Sequence, residues 1–340
     1  MKRLIQRMAL AAMAIMPIGA MGQGSESYQF LSITPSAHVY ALGGQNITLV
    51  SNDISLANQN PALLGQEMSN KLSLNYMRYL GESNLMGATY GIKAGAHGTV
   101  GVGLQYFGFG SMKGADESCT LTGDFGVHDV SVGVMYSHDI TDRLRGGIGV
   151  KMISSSYEQY SAMAISTDLG INYFDPEHEL SLSVVVKNLG GQVKKFDNTS
   201  DKLPWDIQLG WSQYLKNTPI RLSVTAYNLP RWKSPYYKTS HESGEAPEYY
   251  TPKFVSNLFR HLVIGAEYAP SEKFFIGIGY NYKTRSDMST YARNFVSGFS
   301  VGAGINVKAV GASVAIAQPH TGATTFMLNL SLNIGEFINR

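Results

Sequence analysis

Cysteine occurs once in the 340 residues, at Cys119, so no disulfide forms within the chain. That cysteine is also far from any N-terminal processing site, which excludes a lipoprotein anchor. Charge is scarce too: Asp, Glu, Lys and Arg make up 15% of the sequence and leave a net charge of +2. Beyond residue 22 there is no run of eighteen apolar residues, which excludes helical membrane spans. The chain also lacks His-Glu-x-x-His, paired Cys-x-x-Cys, a phosphate loop and Ser-x-x-Lys, and with them the common zinc, nucleotide and serine-transpeptidase chemistries. Gly298-Phe299-Ser300-Val301-Gly302 matches a nucleophile elbow, but the segment alternates as one strand, whereas an elbow needs a strand-to-helix turn. His138, His241 and His320 are scattered. No catalytic residue, metal or cofactor is expected.

What is present points outward from the cell. Lys2, Arg3 and Arg7 precede an apolar stretch, Met8 to Ile18, and the small residues Ala20-Met21-Gly22, which together read as an export signal over residues 1–22 cleaved after Gly22. Without those three cations the chain keeps 24 basic against 25 acidic residues, about −1, so no basic stripe remains for a nucleic acid. Yet 44% of residues are hydrophobic and 20 are Tyr. A membrane β-barrel reconciles much apolar surface with no spanning helix.

From Lys71 onward, apolar residues alternate with small or polar ones. The last run is the clearest, with Phe326, Leu328, Leu330, Leu332 and Ile334 against Met327, Asn329, Ser331 and Asn333. About fourteen such strands are expected: Leu72 to Tyr76, Met86 to Ile92, Val100 to Tyr106, Val130 to Tyr136, Leu144 to Met152, Ile165 to Tyr173, Leu180 to Val186, Trp205 to Ser212, Ile220 to Tyr227, Leu262 to Tyr268, Phe274 to Tyr282, Phe299 to Val307, Val310 to Ile316 and Phe326 to Ile334. Period two sends one set of side chains to lipid and the other to the lumen. The links after even strands are short. The long links, Gly110 to Asp124, Gly190 to Pro204, Leu229 to Phe259 and Thr284 to Val296, all follow odd strands, as in outer-membrane barrels with long outer loops. Both termini are therefore expected in the periplasm and those four loops outside the cell.

Residues 23–70 break the alternation. Tyr28 to Leu64 is expected to form a plug in the lumen, turned at Gly43-Gly44 and Asn60-Pro61, with residues 71–340 forming the barrel. The inward pairs Gly101 and Gly103, Gly147 and Gly149, Gly277 and Gly279, and Gly302 and Gly304 either leave flat wall for the plug or mark bends of the barrel. The inward charges Lys93, Arg145, Lys151, Asp168, Lys187, Arg221 and Glu267 either pair with the plug and with one another or line a hydrated wall. One loop is aromatic, with Trp232, Tyr236, Tyr237, Tyr249 and Tyr250 among Pro235, Pro247 and Pro252. It is a candidate partner-binding surface, an inward-folded loop or part of the interfacial belt.

With Ala41-Leu42-Gly43-Gly44 followed by Asn60-Pro61-Ala62-Leu63, the N-terminal region resembles the barrel family that includes the fatty-acid transporter FadL and the secretion protein PorV. Over nearly the whole mature chain, Tyr28-Gln29-Phe30-Leu31, Ser73-Leu74-Asn75-Tyr76, Ser155-Ser156-Tyr157-Glu158-Gln159-Tyr160, Val186-Lys187-Asn188-Leu189-Gly190 and Ala226-Tyr227-Asn228-Leu229 resemble the PorQ family of the type IX secretion system of Bacteroidota. That resemblance implies a plugged, fourteen-stranded, non-enzymatic barrel in the outer membrane. It also implies a surface partner, PorZ, and a functional link to the sortase PorU and its carrier PorV. A FadL-like channel for hydrophobic compounds is the alternative.

Overall fold

The computed structural model describes residues 28–115, 121–158, 160–196, 201–232, 236–238, 248–250, 253–287, 296–320 and 323–338. The export signal, Cys119 and His241 lie outside them. Fourteen antiparallel strands close into one barrel: β1 (Lys71–Arg78), β2 (Asn84–Ala94), β3 (Gly98–Ala115), β4 (Leu121–Thr141), β5 (Leu144–Tyr157), β6 (Tyr160–Asp175), β7 (Leu180–Lys194), β8 (Asp206–Tyr214), β9 (Ile220–Ala226), β12 (Leu262–Ser271), β13 (Phe274–Asn281), β14 (Phe299–Val307), β15 (Val310–His320) and β16 (Ala323–Asn333). The remaining two, β10 (Tyr236–Lys238) and β11 (Glu248–Tyr250), pair as a separate ribbon between β9 and β12. Closure comes from β1 on β16, in register from Lys71 opposite Asn333 to Arg78 opposite Phe326. It leaves no sheet edge, which in hydrocarbon would strand a row of unpaired N–H and C=O groups.

The alternation sets the faces as expected. On β16, Phe326, Leu328 and Leu330 are exposed while Thr325, Met327 and Asn329 are buried inside. Outward side chains such as Leu104, Val134, Ile278 and Val301 stay about half exposed, an apolar belt that water would not tolerate at this extent. Two sets of outward aromatics bound it. Tyr76, Tyr106, Tyr280, Phe299 and Phe326 lie toward one rim, and Tyr90, Tyr136, Tyr173 and Tyr268 toward the other. Such girdles mark the two membrane interfaces of a barrel.

Several boundaries differ from the sequence reading. The segment expected as a loop at Gly110 to Asp124 is strand up to Ala115 and again from Leu121, and the one at Gly190 to Pro204 is strand up to Lys194, because β3, β4 and β7 continue past the belt. Pairing runs on from Phe107 opposite Asp129 to Ala115 opposite Leu121, so this hairpin projects roughly 30 Å beyond Tyr106 at about 3.4 Å per residue. The final strand stops at Asn333 and Ile334 opens a short helix, Ile334–Ile338. Tyr282 likewise opens the helix Tyr282–Asp287 instead of closing β13, and Trp205 precedes β8.

Inside the barrel lies the plug, and the core of the molecule is there. Ser36 caps the helix Ala37–Ala41 by accepting from the Val39 N–H, and Gly43 and Gly44, at φ 99° and 83°, end it by turning their N–H groups back to Tyr40 and Val39. Asp53 caps the turn Ile54–Asn58 through the Ser55 N–H. Asn60 caps Pro61–Leu63, with Pro at the first helical position, where a missing N–H costs nothing. These short turns bury Val39, Leu42, Leu49, Leu56 and Leu63 against one another. The described plug begins in the half of the lumen nearer the long loops, where Gln192 donates to the Tyr28 hydroxyl at 2.8 Å, and leaves at the short-turn rim into β1. The helix Ile334–Ile338 packs at the short-turn rim, beside β1.

Candidate functional site

The lumen brings plug and wall together through missing side chains. A Cβ on Gly147 would strike the backbone at Pro61 and Ala62, and one on Gly279 the backbone at Leu42 and Gly43. Gly101 faces Leu64, Gly103 faces Asn58, and Gly277 and Gly302 face Leu42 and Ala41. Gly149 and Gly304 have no plug atom among their nearest neighbours. Met135 and Asp168 cover the first, and Phe275 and Ser313 the second, because side chains of the adjoining strands lean over those positions. The sequence reading also missed four plug-facing glycines, Gly91, Gly170, Gly210 and Gly265, which meet Met68, Asn60, Thr48 and Leu42. They occur singly, so no i, i+2 pair marked them.

Polar tethers complete the seat. Asn60 both caps its own turn and donates to the Ile47 carbonyl at 3.0 Å and the Ser183 hydroxyl at 3.3 Å. Ser300, the centre of the elbow-like pattern, donates to the Ala41 carbonyl at 2.9 Å from an inward strand position, which is a tether and not an exposed nucleophile. Tyr40 meets Thr325, and burial pushes the Tyr40 hydroxyl up from its ordinary pKa.

Apart from Lys93, which is exposed, the inward charges are paired between neighbouring strands of the wall and with the plug. Arg221 on β9 donates to Glu267 on β12 at 2.6 Å, and His38 of the plug meets the other oxygen of Glu267 at 3.1 Å while stacking on Phe275. Lys151 contacts Asp168 at 2.6 Å, and Arg145 contacts Asp139 and, at 3.8 Å, Glu67 of the plug. Lys187 donates to Gln59 of the plug at 3.0 Å. A β-bulge on β7 turns both Lys187 and Asn188 inward, with Asn188 at φ 54° and its N–H on Asp168.

Among the described residues, two chambers lie between plug and wall. The smaller, about 140 Å³, lies beside Arg221, Glu267 and Asn306 toward the short-turn rim. The larger, about 420 Å³, lies between the plug and the long-loop rim and is lined by Lys187, Asp206, Gln208, Arg231, His261 and Lys283. Both are polar. Among the described residues one group, Asp175, Glu177 and His178, has metal-ligand spacing, but Arg143 lies 3.4 Å from Asp175 and 2.8 Å from Glu177, so a cation already occupies the carboxylates.

The aromatic loop splits in two. Trp232 is half-buried: its ring stacks on His261 at 4.6 Å, and its carbonyl accepts from Asn257. Tyr236 pairs with Tyr250 and Tyr237 with Tyr249 in the ribbon β10–β11. The helix Phe254–Arg260, which the alternation pattern could not flag, buries Asn257 and Arg260 on one side and exposes Phe254 (70%), Val255 (62%) and Phe259 (45%) on the other.

No protein-family model matches the sequence, and no curated relative does. Solved structures do share the fold. The barrel is similar to a Pseudomonas aeruginosa FadL homologue, at TM-score 0.50 and 12% identity over 89% of this chain and 98% of that one. It is similar to the Pseudomonas putida toluene transporter TodX, at TM-score 0.50 and 11% identity over 86% and 95%. A TodX deltaS2S3 mutant, a monoaromatic hydrocarbon channel, aligns at TM-score 0.52 and 12% identity over 87% and 97%. The chain shares the fold of these solved barrels. At these identities the likeness is one of architecture: a closed fourteen-stranded antiparallel barrel.

Proposed function

We propose that this chain is a non-enzymatic outer-membrane barrel, stoppered by its own N-terminal segment, that holds a protein partner at its long-loop rim. The observation that carries the reading is the helix Phe254–Arg260. Its polar side is locked to the rim by Asn257 and Arg260, so its apolar side is held outward, and exposed aromatics on a rigid support are what interface anchors require. The filled lumen agrees, since a platform needs an outer face and no conduit. In this reading the long loops face the cell exterior, and the resemblance to PorQ-type proteins makes the partner PorZ-like, working with PorU and PorV. The test is a pull-down from detergent-solubilised membranes. Recovery of one large surface protein with the barrel supports the reading, and a barrel that comes down alone overturns it.

The likeness in fold to a FadL homologue and to TodX favours a second reading, a channel for hydrophobic compounds. Such a channel binds cargo against apolar walls. Here the chain itself fills lumen volume toward the long-loop rim, where Tyr28, Phe30 and Leu31 are packed with Phe107, Met77 and Leu203. Fatty acid or toluene retained by the purified barrel would favour the channel.

A further inference from the structure

Neighbouring strands of the barrel are joined by a turn or a loop of chain, except β1 and β16, which lie at opposite ends of the barrel sequence and close it. Bringing such distant ends together costs chain entropy that local hairpin formation does not offset. The two sides of that seam meet different parts of the plug.

On one side, the helix Ala37–Ala41 packs on β13, β14, β15 and β16. Ser300 of β14 holds the Ala41 carbonyl, Ala41 faces Gly302 of β14, and Tyr40 meets Thr325 of β16. On the other side, Ile54–Asn58 packs on β1 and β2, and Gln66–Met68 packs on β2. Asn58 Nδ2 donates to Thr89 Oγ1 of β2 at 2.9 Å, and a Cβ on Gly91 of β2 would strike the Met68 backbone and the Ile54 side chain. The two arms are joined inside the plug. Ser55 Oγ donates to Ser36 Oγ at 2.8 Å, and Val39 and Leu42 are buried with Leu56 and Leu63 in one apolar cluster. Asn52 spans the seam by itself, because its Oδ1 accepts from Asn306 of β14 at 2.9 Å and its carbonyl accepts from Lys71 of β1 at 3.1 Å.

We infer that the plug has a second task besides filling the lumen: it clamps the seam from inside, and closure of the barrel depends on it. The turn Pro61–Leu63, which packs on β4, β5 and β6, braces the clamp from farther round the wall. The plug precedes β1 in the chain, so it is available before β16 is, and it offers the last strands a surface to dock on beside β1.

The test is disulfide trapping of the full-length barrel during assembly in cells, in a Cys119→Ser background. Ser73→Cys with Ser331→Cys reports the seam, and Ser181→Cys with Ser212→Cys reports β7 on β8, because the residues of each pair lie directly opposite one another. Val39→Ala with Leu56→Ala opens the joint between the two arms, and the linked fraction at the seam should then fall about tenfold while the β7–β8 pair stays linked. Leu56→Met, which keeps the joint apolar and close to its volume, serves as the second variant and should leave both pairs linked. A seam that stays linked in the double variant, equal loss at both pairs, or a loss at the seam in Leu56→Met as large as in the double variant overturns the inference. The partner reading is untouched by any of these results.

Discussion

Nε2 of His38 lies 3.1 Å from Oε1 of Glu267, which joins the plug to the barrel wall across 229 residues of sequence. Glu267 is 3% exposed and its second oxygen is held by Arg221 at 2.6 Å, so plug, β9 and β12 share one buried carboxylate. Breaking a buried pair from one side leaves the other charge uncompensated.

Glu267→Ala should therefore destabilise the folded barrel by about 3–5 kcal/mol, since Arg221 is left buried without its counter-charge. His38→Gln keeps a donor for Glu267 and loses only the stack on Phe275, so its loss should be on the order of 1 kcal/mol. The temperature at which the heat-modifiable band shifts, read for both variants, checks the order. Equal shifts would remove Arg221 from the account.

The glycine seats give an assembly test. Gly279→Ala and Gly147→Ala each drive a methyl into plug backbone, which can yield only by moving the plug. Overpacking of this kind costs about 1–3 kcal/mol. Gly149→Ala meets the Met135 side chain at 3.3 Å, which can shift, and should be tolerated. Limited proteolysis of the plug segment should rise in the first two variants and not in the third.

The lipid face is tested by Leu330→Arg. Leu330 points into the belt, and a charge at mid-membrane depth costs roughly 2–4 kcal/mol there. Its neighbour Asn329 points inward and donates to Ser73 at 3.0 Å, so Asn329→Ala loses one hydrogen bond, about 1 kcal/mol. Urea unfolding in lipid vesicles would show a reversed order if the faces were assigned wrongly.

Partner retention should depend on the rim helix. Phe254→Ser with Phe259→Ser removes most of the exposed apolar side while leaving Asn257 and Arg260 in place. The double variant should migrate as a folded barrel and lose the surface protein in the pull-down. Trp232→Ala acts differently, because its ring packs on His261. It should loosen the rim and weaken retention less. Full retention by the double variant would move the contact elsewhere.

Much of the wall was legible in the chain because one rule, alternation at period two, acts residue by residue. It placed Leu328 outside and Asn329 inside without knowledge of any partner strand, and it set Lys187, Arg221 and Glu267 facing inward. It failed where the rule stops applying. The helix Phe254–Arg260 has no two-residue period, Trp232 is recognised as a rim support only when His261 is beside it, and single glycines such as Gly210 carry no mark of the plug that covers them. Strand ends were also missed: β3 and β4 continue beyond the membrane, where the outward residues need no longer be apolar.

The sequence by itself determined a closed wall, its two faces and the turn chemistry of the plug, because strand alternation, the Asn60-Pro61 cap and the Gly43-Gly44 stop are short-range effects. Only the tertiary structure decided which wall residues the plug meets and which carboxylate joins His38 to Arg221. Those outcomes depend on register around a cylinder, where positions hundreds of residues apart come within hydrogen-bond distance, and no local pattern encodes that distance.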